Sequence, residues 1–137
     1  MSAPPRPGAS IRYHESQILT ASREQLLVLT YDGILRFLAR ACRGLEQGDF
    51  AEKHFGIGRA QALIIELRRT LDFSVVPELA HNLARVYSYL LDELTHADAE
   101  DDLSRIRHAM ALVAELRAAW VDAARQRAAE GGDRQSW

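Results

Sequence analysis

From Ser22 onward apolar residues recur at steps of three and four, the spacing that keeps side chains on one face of an α-helix. Ser22 and Gln25 carry the signature of a capping box, in which each side chain satisfies a backbone N–H of the other, so the first helix is predicted to start near Arg23. Leu27, Tyr31, Ile34, Leu38, Ala41 and Leu45 form its apolar stripe, and Gly48 marks its end. Asp49 and Glu52 repeat the capping signature at once. Phe55, Ala60, Ile64, Leu67 and Leu71 then give a second helix its inner face. That helix gives out between Asp72 and Val76, and Pro77 suits the first position of a third, where a missing N–H costs nothing. Leu79, Leu83, Val86, Leu90 and Leu94 make the third stripe. A polar connection with Asp98, Glu100, Asp101 and Asp102 places negative charge at the start of a fourth helix, whose face is Leu103, Ile106, Met110, Val113, Leu116 and Trp120.

Short connections between four amphipathic helices predict an all-α fold, an antiparallel up-down-up-down four-helix bundle. The breaks at Gly48-Asp49 and Phe73-Pro77 argue against one long coiled-coil rod. Pro4, Pro5, Pro7 and Gly8 predict an extended, solvated leader over residues 1–10, and Gly131-Gly132 a frayed tail over residues 131–137, leaving residues 11–130 as the bundle domain.

Composition narrows the function classes. The chain has 137 residues, of which 47% are hydrophobic and 26% charged, the balance of a soluble globular domain. A net charge of -2 is too even for the broad basic field of a nucleic-acid binder. No apolar run reaches the ~20 residues of a membrane span, and the first residues lack the apolar centre of a secretory signal. With Cys42 as the one cysteine, a disulfide scaffold is excluded and a cytoplasmic location is predicted.

Candidate chemistry is sparse. Glu78-Leu-Ala-His81 and Glu93-Leu-Thr-His96 have the Glu-x-x-His spacing of di-iron bundles, but there the motifs sit on different helices and converge. Here both fall on the third helix, fifteen residues or about 22 Å apart, with Glu78, His81 and His96 on its polar side. No metal, cofactor or catalytic group is expected. Cys42 flanks the first stripe and reads as a buried structural thiol. Gly56 and Gly58 follow no strand, so they suit close helix packing better than a phosphate loop. Arg68 and Arg69 complement the dipole at the end of the second helix. Ile11, Tyr13, Ile18 and Leu19 remain as apolar residues ahead of the first cap. They either pack on the bundle or mark a surface for a partner.

Taken in order, Tyr13, Ile18-Leu-Thr-Ala-Ser-Arg-Glu-Gln-Leu-Leu, Leu29-Thr-Tyr-Asp-Gly33, Leu45-Glu-Gln-Gly-Asp49, Arg59-Ala-Gln-Ala-Leu-Ile-Ile-Glu-Leu67, Asn82-Leu83, Val86-Tyr87-Ser-Tyr89 and Glu115-Leu-Arg-Ala-Ala-Trp120 resemble the flagellar secretion chaperone family FliS. The likeness runs from about Tyr13 to Ala123. It implies a non-enzymatic bacterial protein of the cytosol that holds flagellin monomers against early polymerisation and presents them for type III flagellar export. The implied partner is the disordered C-terminal segment of flagellin, folding as it binds apolar grooves, with the export gate as a further partner. The other reading kept open is a helical regulator that uses the same groove for a different flagellar or export protein.

By matching position, the resemblance puts Tyr13, Ile18 and Leu19 in an N-terminal segment bearing on the flagellin site. Tyr31, Asp32 and Gly33 match a signature turn, with Tyr31 either a contact or a core aromatic. Ile64, Leu67, Leu71, Leu83, Tyr87 and Leu90 either line grooves or belong to the core. Burial of Ile11, Tyr13, Ile18 and Leu19 would favour their lying over the groove as a weakly held lid. Three features depart from the family pattern: Arg23 in place of a proline, an apolar connection at Asp72-Phe-Ser-Val-Val-Pro-Glu in place of Gly-Gly, and the proline-rich leader.

Overall fold

In the computed structural model of the chain, which describes residues 22–130, the first helix starts where its cap allows. The Gln25 N–H donates to Ser22 Oγ at 3.2 Å and the Ser22 N–H donates to Gln25 Oε1 at 2.9 Å, closing the predicted box. Helix α1 runs over Arg23–Glu46, α2 over Phe50–Arg69, α3 over Pro77–Glu100 and α4 over Leu103–Ala129. No strand occurs among the described residues. Each helix packs on its two neighbours, α1 on α2 and α4, and α3 on α2 and α4, which is the square of an antiparallel four-helix bundle. The leader, the proposed lid residues and the tail lie outside the described residues.

The turn from α1 to α2 is fixed by backbone chemistry. Gly48 takes φ +71°, a left-handed conformation open to glycine at little cost, and this lets the Gly48 N–H reach Leu45 O at 3.2 Å and the Asp49 N–H reach Gly44 O at 2.7 Å. Asp49 then caps α2, accepting the Glu52 N–H at 3.1 Å. Its own N–H is already bonded to Gly44, so the second half of the predicted box does not form. The Glu52 side chain pairs instead with Arg40. Two glycines let α1 and α2 meet backbone to backbone. A Cβ on Gly44 would lie 2.7 Å from Lys53 N, and one on Gly56 2.5 Å from Phe37 O. Gly58, by contrast, faces open space and plays no part in packing.

The α3–α4 connection is shorter than the sequence suggested. Helix α3 continues through Asp98 to Glu100, and only residues 101–102 link it to α4. Asp101 adopts φ 51°, the Asp102 N–H donates to Ala97 O at 3.0 Å, and the Asp102 carboxylate caps the Arg105 N–H at 3.2 Å. At α3's other end Pro77 occupies the first turn after Val76, as its missing donor favours.

The stripes form one core. Tyr31, Ile34, Leu38 and Ala41 meet Ile57, Ala60 and Ile64, with Leu83, Leu90, Leu94, Ile106 and Val113 closing the far side. On α2 the inner positions are Lys53, Gly56, Ile57, Ala60, Ile64 and Leu67, whereas Phe55 is 45% exposed. The five residues from Phe55 to Ala60 turn the helix about 140° past a full circle, so Phe55 belongs to the outer face. Cys42 is buried beside Met110, with the sulfurs 3.8 Å apart, and burial pushes its thiol pKa up. Among the described residues no helix is long and apolar enough to cross a membrane.

Candidate functional site

Two tyrosines and a tryptophan form a buried polar line across the bundle. Trp120 Nε1–H donates to the Tyr31 hydroxyl at 2.8 Å, and the Tyr31 and Tyr87 hydroxyl oxygens are 2.6 Å apart. Such partners let large aromatics fill a core without stranding a polar atom. Burial raises the pKa of both tyrosines, most strongly for Tyr87, so the line stays uncharged.

Above this line the bundle does not close. A cleft of about 50 Å³ opens between the start of α1, the end of α2, the start of α3 and α4. Leu27, Leu67, Leu71, Leu79, Leu83 and Trp120 wall it, and Tyr87 lies at its floor. Arg23 bridges one edge, its Nη2 donating to Thr70 O at 3.4 Å. Asp72 stands at another edge, turned into its own loop, where the Ser74 hydroxyl and N–H hold its carboxyl below the usual range. The connection over residues 70–76 carries Phe73, Val75 and Val76, all more than 40% exposed, beside the cleft. Phe73 rests against the His81 ring at 4.8 Å between centroids. An apolar opening rimmed by exposed apolar residues and a few polar edges can grip an apolar side chain.

The expected site residues divide among these environments. Leu67, Leu71, Leu83 and Tyr87 come together in the cleft. Tyr31 lies one hydrogen bond below it and is 1% exposed, so it supports the floor without lining the opening. Ile64 and Leu90 are buried at 0% and 1% and belong to the core. Tyr13, Ile18 and Leu19 lie outside the described residues. Gly33 sits across from Leu63, where an added Cβ would come to 3.3 Å, and Asp32 accepts from Arg117 Nε at 2.5 Å, so this signature turn joins α1 to both neighbours. Leu27, Leu79 and Trp120, stripe residues by their spacing, also wall the cleft. The signal they carried was their place at stripe ends, where coverage by a neighbour gives out.

The Glu-x-x-His pairs do not assemble. Glu78, His81 and His96 are exposed, while Glu93 turns toward α4 and accepts from Arg105 Nη1 at 3.4 Å. Among the described residues no group of three or more potential metal-binding side chains exists.

The family model described as flagellar protein FliS matches residues 7–127. The flagellar secretion chaperone FliSB of Pseudomonas aeruginosa is 35% identical over 106 residues, covering 77% of this chain and 84% of that protein. The flagellar secretion chaperone FliS of Campylobacter jejuni is 32% identical over 108 residues, covering 79% and 84%, and that of Escherichia coli K12 31% identical over 109 residues, covering 79% and 80%.

Proposed function

Since this chain belongs to the FliS family of flagellar secretion chaperones, we propose that its particular task is to bind the C-terminal segment of flagellin, hold the monomer against premature polymerisation in the bacterial cytosol and present it to the flagellar export machinery. The observation that carries this reading is the apolar cleft at the open end of the bundle. Its walls suit large aliphatic side chains, and each one fully buried there contributes roughly 1.5 to 3 kcal/mol. The exposed Phe73, Val75 and Val76 extend that surface for a segment that folds as it docks. The protein acts by binding and not by catalysis.

Titration calorimetry with purified flagellin, whole and lacking its C-terminal segment, tests the reading. Whole flagellin binds one to one, with affinity that persists at high salt because the contacts are apolar. Leu79→Asp, a partly buried cleft residue, weakens binding at least tenfold while the helical spectrum is kept. Equal binding of truncated flagellin would reject the proposed partner segment, and unchanged binding by Leu79→Asp would reject the cleft.

A further inference from the structure

Arg23 carries the wrong charge for its place in α1. It is the first residue of the helix, where unpaired backbone N–H groups favour acidic side chains and disfavour basic ones. The carboxylates that could offset it are engaged elsewhere. Glu24, next to it in the chain, pairs with Arg127, Glu66 pairs with Arg69, and Asp72 accepts from the hydroxyl and the N–H of Ser74. Arg23 is exposed and has no carboxylate partner among the described residues. The hydrogen bond from its Nη2 to Thr70 O is long, at 3.4 Å, and so holds the side chain weakly. Helix stability gives no reason for a cation here.

Its position does. Arg23 stands on the rim of the cleft, one turn before the wall residue Leu27, and it also borders the shallow groove of Leu26, Thr30 and Leu63. Cleft and groove share Leu27, Leu67 and Thr70 as well, so a segment lying from one into the other passes the guanidinium. A guanidinium presents five N–H donors in a planar fork, and one bond to Thr70 leaves the rest of that fork free. The group that fits it is a carboxylate, with two acceptor oxygens at the matching spacing and the opposite charge. Asp72, on another edge of the cleft, has the same sign as such a group and repels it there. The rim therefore accepts a carboxylate on the α1 side alone. The walls are apolar and carry little directional information, whereas this contact fixes which way round a segment lies.

We propose that Arg23 is a specificity-determining residue of the cleft, receiving a carboxylate of the docked segment at the α1 edge and so setting its direction and register. The inference rests on the flagellin reading and adds to it the charge that the segment must present. Two sources share that chemistry, an Asp or Glu side chain near the apolar anchor and the α-carboxylate that ends the segment.

The test is calorimetry of the full chain with whole flagellin at about 0.05 M and about 1 M salt. Arg23→Gln and Arg23→Pro have in common the loss of charge, since proline is well accommodated at the first helical position. Each weakens binding about fivefold at low salt, and the difference from the parent disappears at high salt while the apolar part of the affinity remains. Their thermal midpoints stay level or rise, because a cation has left a helix N-terminus; a structural role would lower them. Arg23→Glu weakens binding further. Changing the Asp and Glu residues of flagellin's C-terminal segment to Lys one at a time recovers its affinity at one position if the acceptor is a side chain. If it is the α-carboxylate, a synthetic C-terminal peptide loses the advantage of parent over Arg23→Gln when its end is amidated. Parental affinity in Arg23→Gln at low salt overturns the proposal and leaves the flagellin reading standing. A deficit undiminished at high salt, a lowered midpoint in both variants, or recovery by neither route overturns it equally. Failure of the parent itself to bind flagellin removes both readings.

Discussion

The two ends of this bundle are built from the same four helices and solve opposite problems. At one end the α1–α2 turn and the α3–α4 turn are tied together by Lys53, whose Nζ lies 2.7 Å from Asp98 Oδ1 and 2.5 Å from Asp101 Oδ1 and donates to Asp98 O at 2.8 Å. His54 Nδ1 adds a contact to Asp98 Oδ2 at 2.6 Å. Lys53, His54, Asp98 and Asp101 thus pair with one another within the end itself. At the other end residues 70–76 span α2 and α3 loosely, Phe73, Val75 and Val76 face solvent, and the apolar cleft opens over Tyr87. Charged side chains tie two turns together at one end and apolar surface is left at the other, where a partner is proposed and where the Glu24–Arg127 pair joins α1 to α4. Stability and binding should therefore separate by position along the bundle axis.

The largest effect expected is at Gly56. A methyl there would sit 2.5 Å from Phe37 O and 2.9 Å from Ala41 N, both backbone, so α1 and α2 would have to move apart. Gly56→Ala should cost about 3 kcal/mol, and lower the thermal midpoint by roughly 10 °C, despite alanine's better helix propensity. Urea denaturation checks it. A cost below about 1 kcal/mol would mean that the close approach is not a structural requirement.

Lys53 comes next. It is 5% exposed, and its removal leaves Asp98 and Asp101, three residues apart at the end of α3, without their shared cation. Lys53→Met should cost about 2 kcal/mol, less than a fully buried pair because water reaches Asp101. Adding Asp98→Asn and Asp101→Asn should recover most of that loss, since the penalty lies in stranded charge. Binding at the cleft should be unchanged in the folded fraction, and a parallel loss of flagellin affinity would show the two ends to be coupled.

Acid supplies a gentler version of the same break. Burial alone would raise the Asp98 pKa, but hydrogen bonds from Lys53 and His54 outweigh it and hold the carboxyl below its ordinary value of 3.8. A folded pKa below the unfolded one means that the unfolded chain binds more protons in this window. The stabilisation is complete above the unfolded value and is lost as pH falls from there through the folded pKa. Urea midpoints measured downward from pH 5 should fall more steeply in the parent than in Asp98→Asn. Identical slopes would remove Asp98 from the acid response.

What could be read in the sequence was the short-range part. Ser22, Asp49, Pro77 and Asp102 announce helix starts because each acts on backbone within three residues of itself. The stripes likewise follow from 3.6 residues per turn, and four of them dictate the bundle. Lys53 was not legible as a buried residue, since its partners Asp98 and Asp101 lie more than forty positions away. Glu24, buried and paired with Arg127, is concealed for the same reason. All six wall residues of the cleft are stripe residues by their spacing, but whether Leu67 and Leu83 wall a cleft while Ile64 and Leu90 fill the core depends on how helix ends are staggered. The stripe pattern of α2 misleads at Phe55 because a backbone contact at Gly56, and not a large side chain, occupies the inward position.

The smallest effect expected has the opposite sign and comes two residues from the largest. Gly58 sits within α2 with nothing within 4 Å of its would-be Cβ, so no neighbour gives way to a methyl there. Its helical backbone needs no positive φ. Glycine in a helix interior costs roughly 0.8 to 1.0 kcal/mol relative to alanine, largely through the freedom it gives the unfolded chain, and Gly58→Ala should return a good part of that as added stability. The gain should appear as a higher urea midpoint with an unchanged slope, which is the mark of altered stability without altered compactness. In the Phe55-Gly-Ile-Gly-Arg59 stretch, then, identical residues two apart should respond in opposite directions, since a step of about 200° carries one into the α1 contact and the other out to solvent. A destabilised Gly58→Ala would show that something covers this face of α2 in solution, and with it that the closed half of the bundle is not as self-contained as its ion pairs and turns make it.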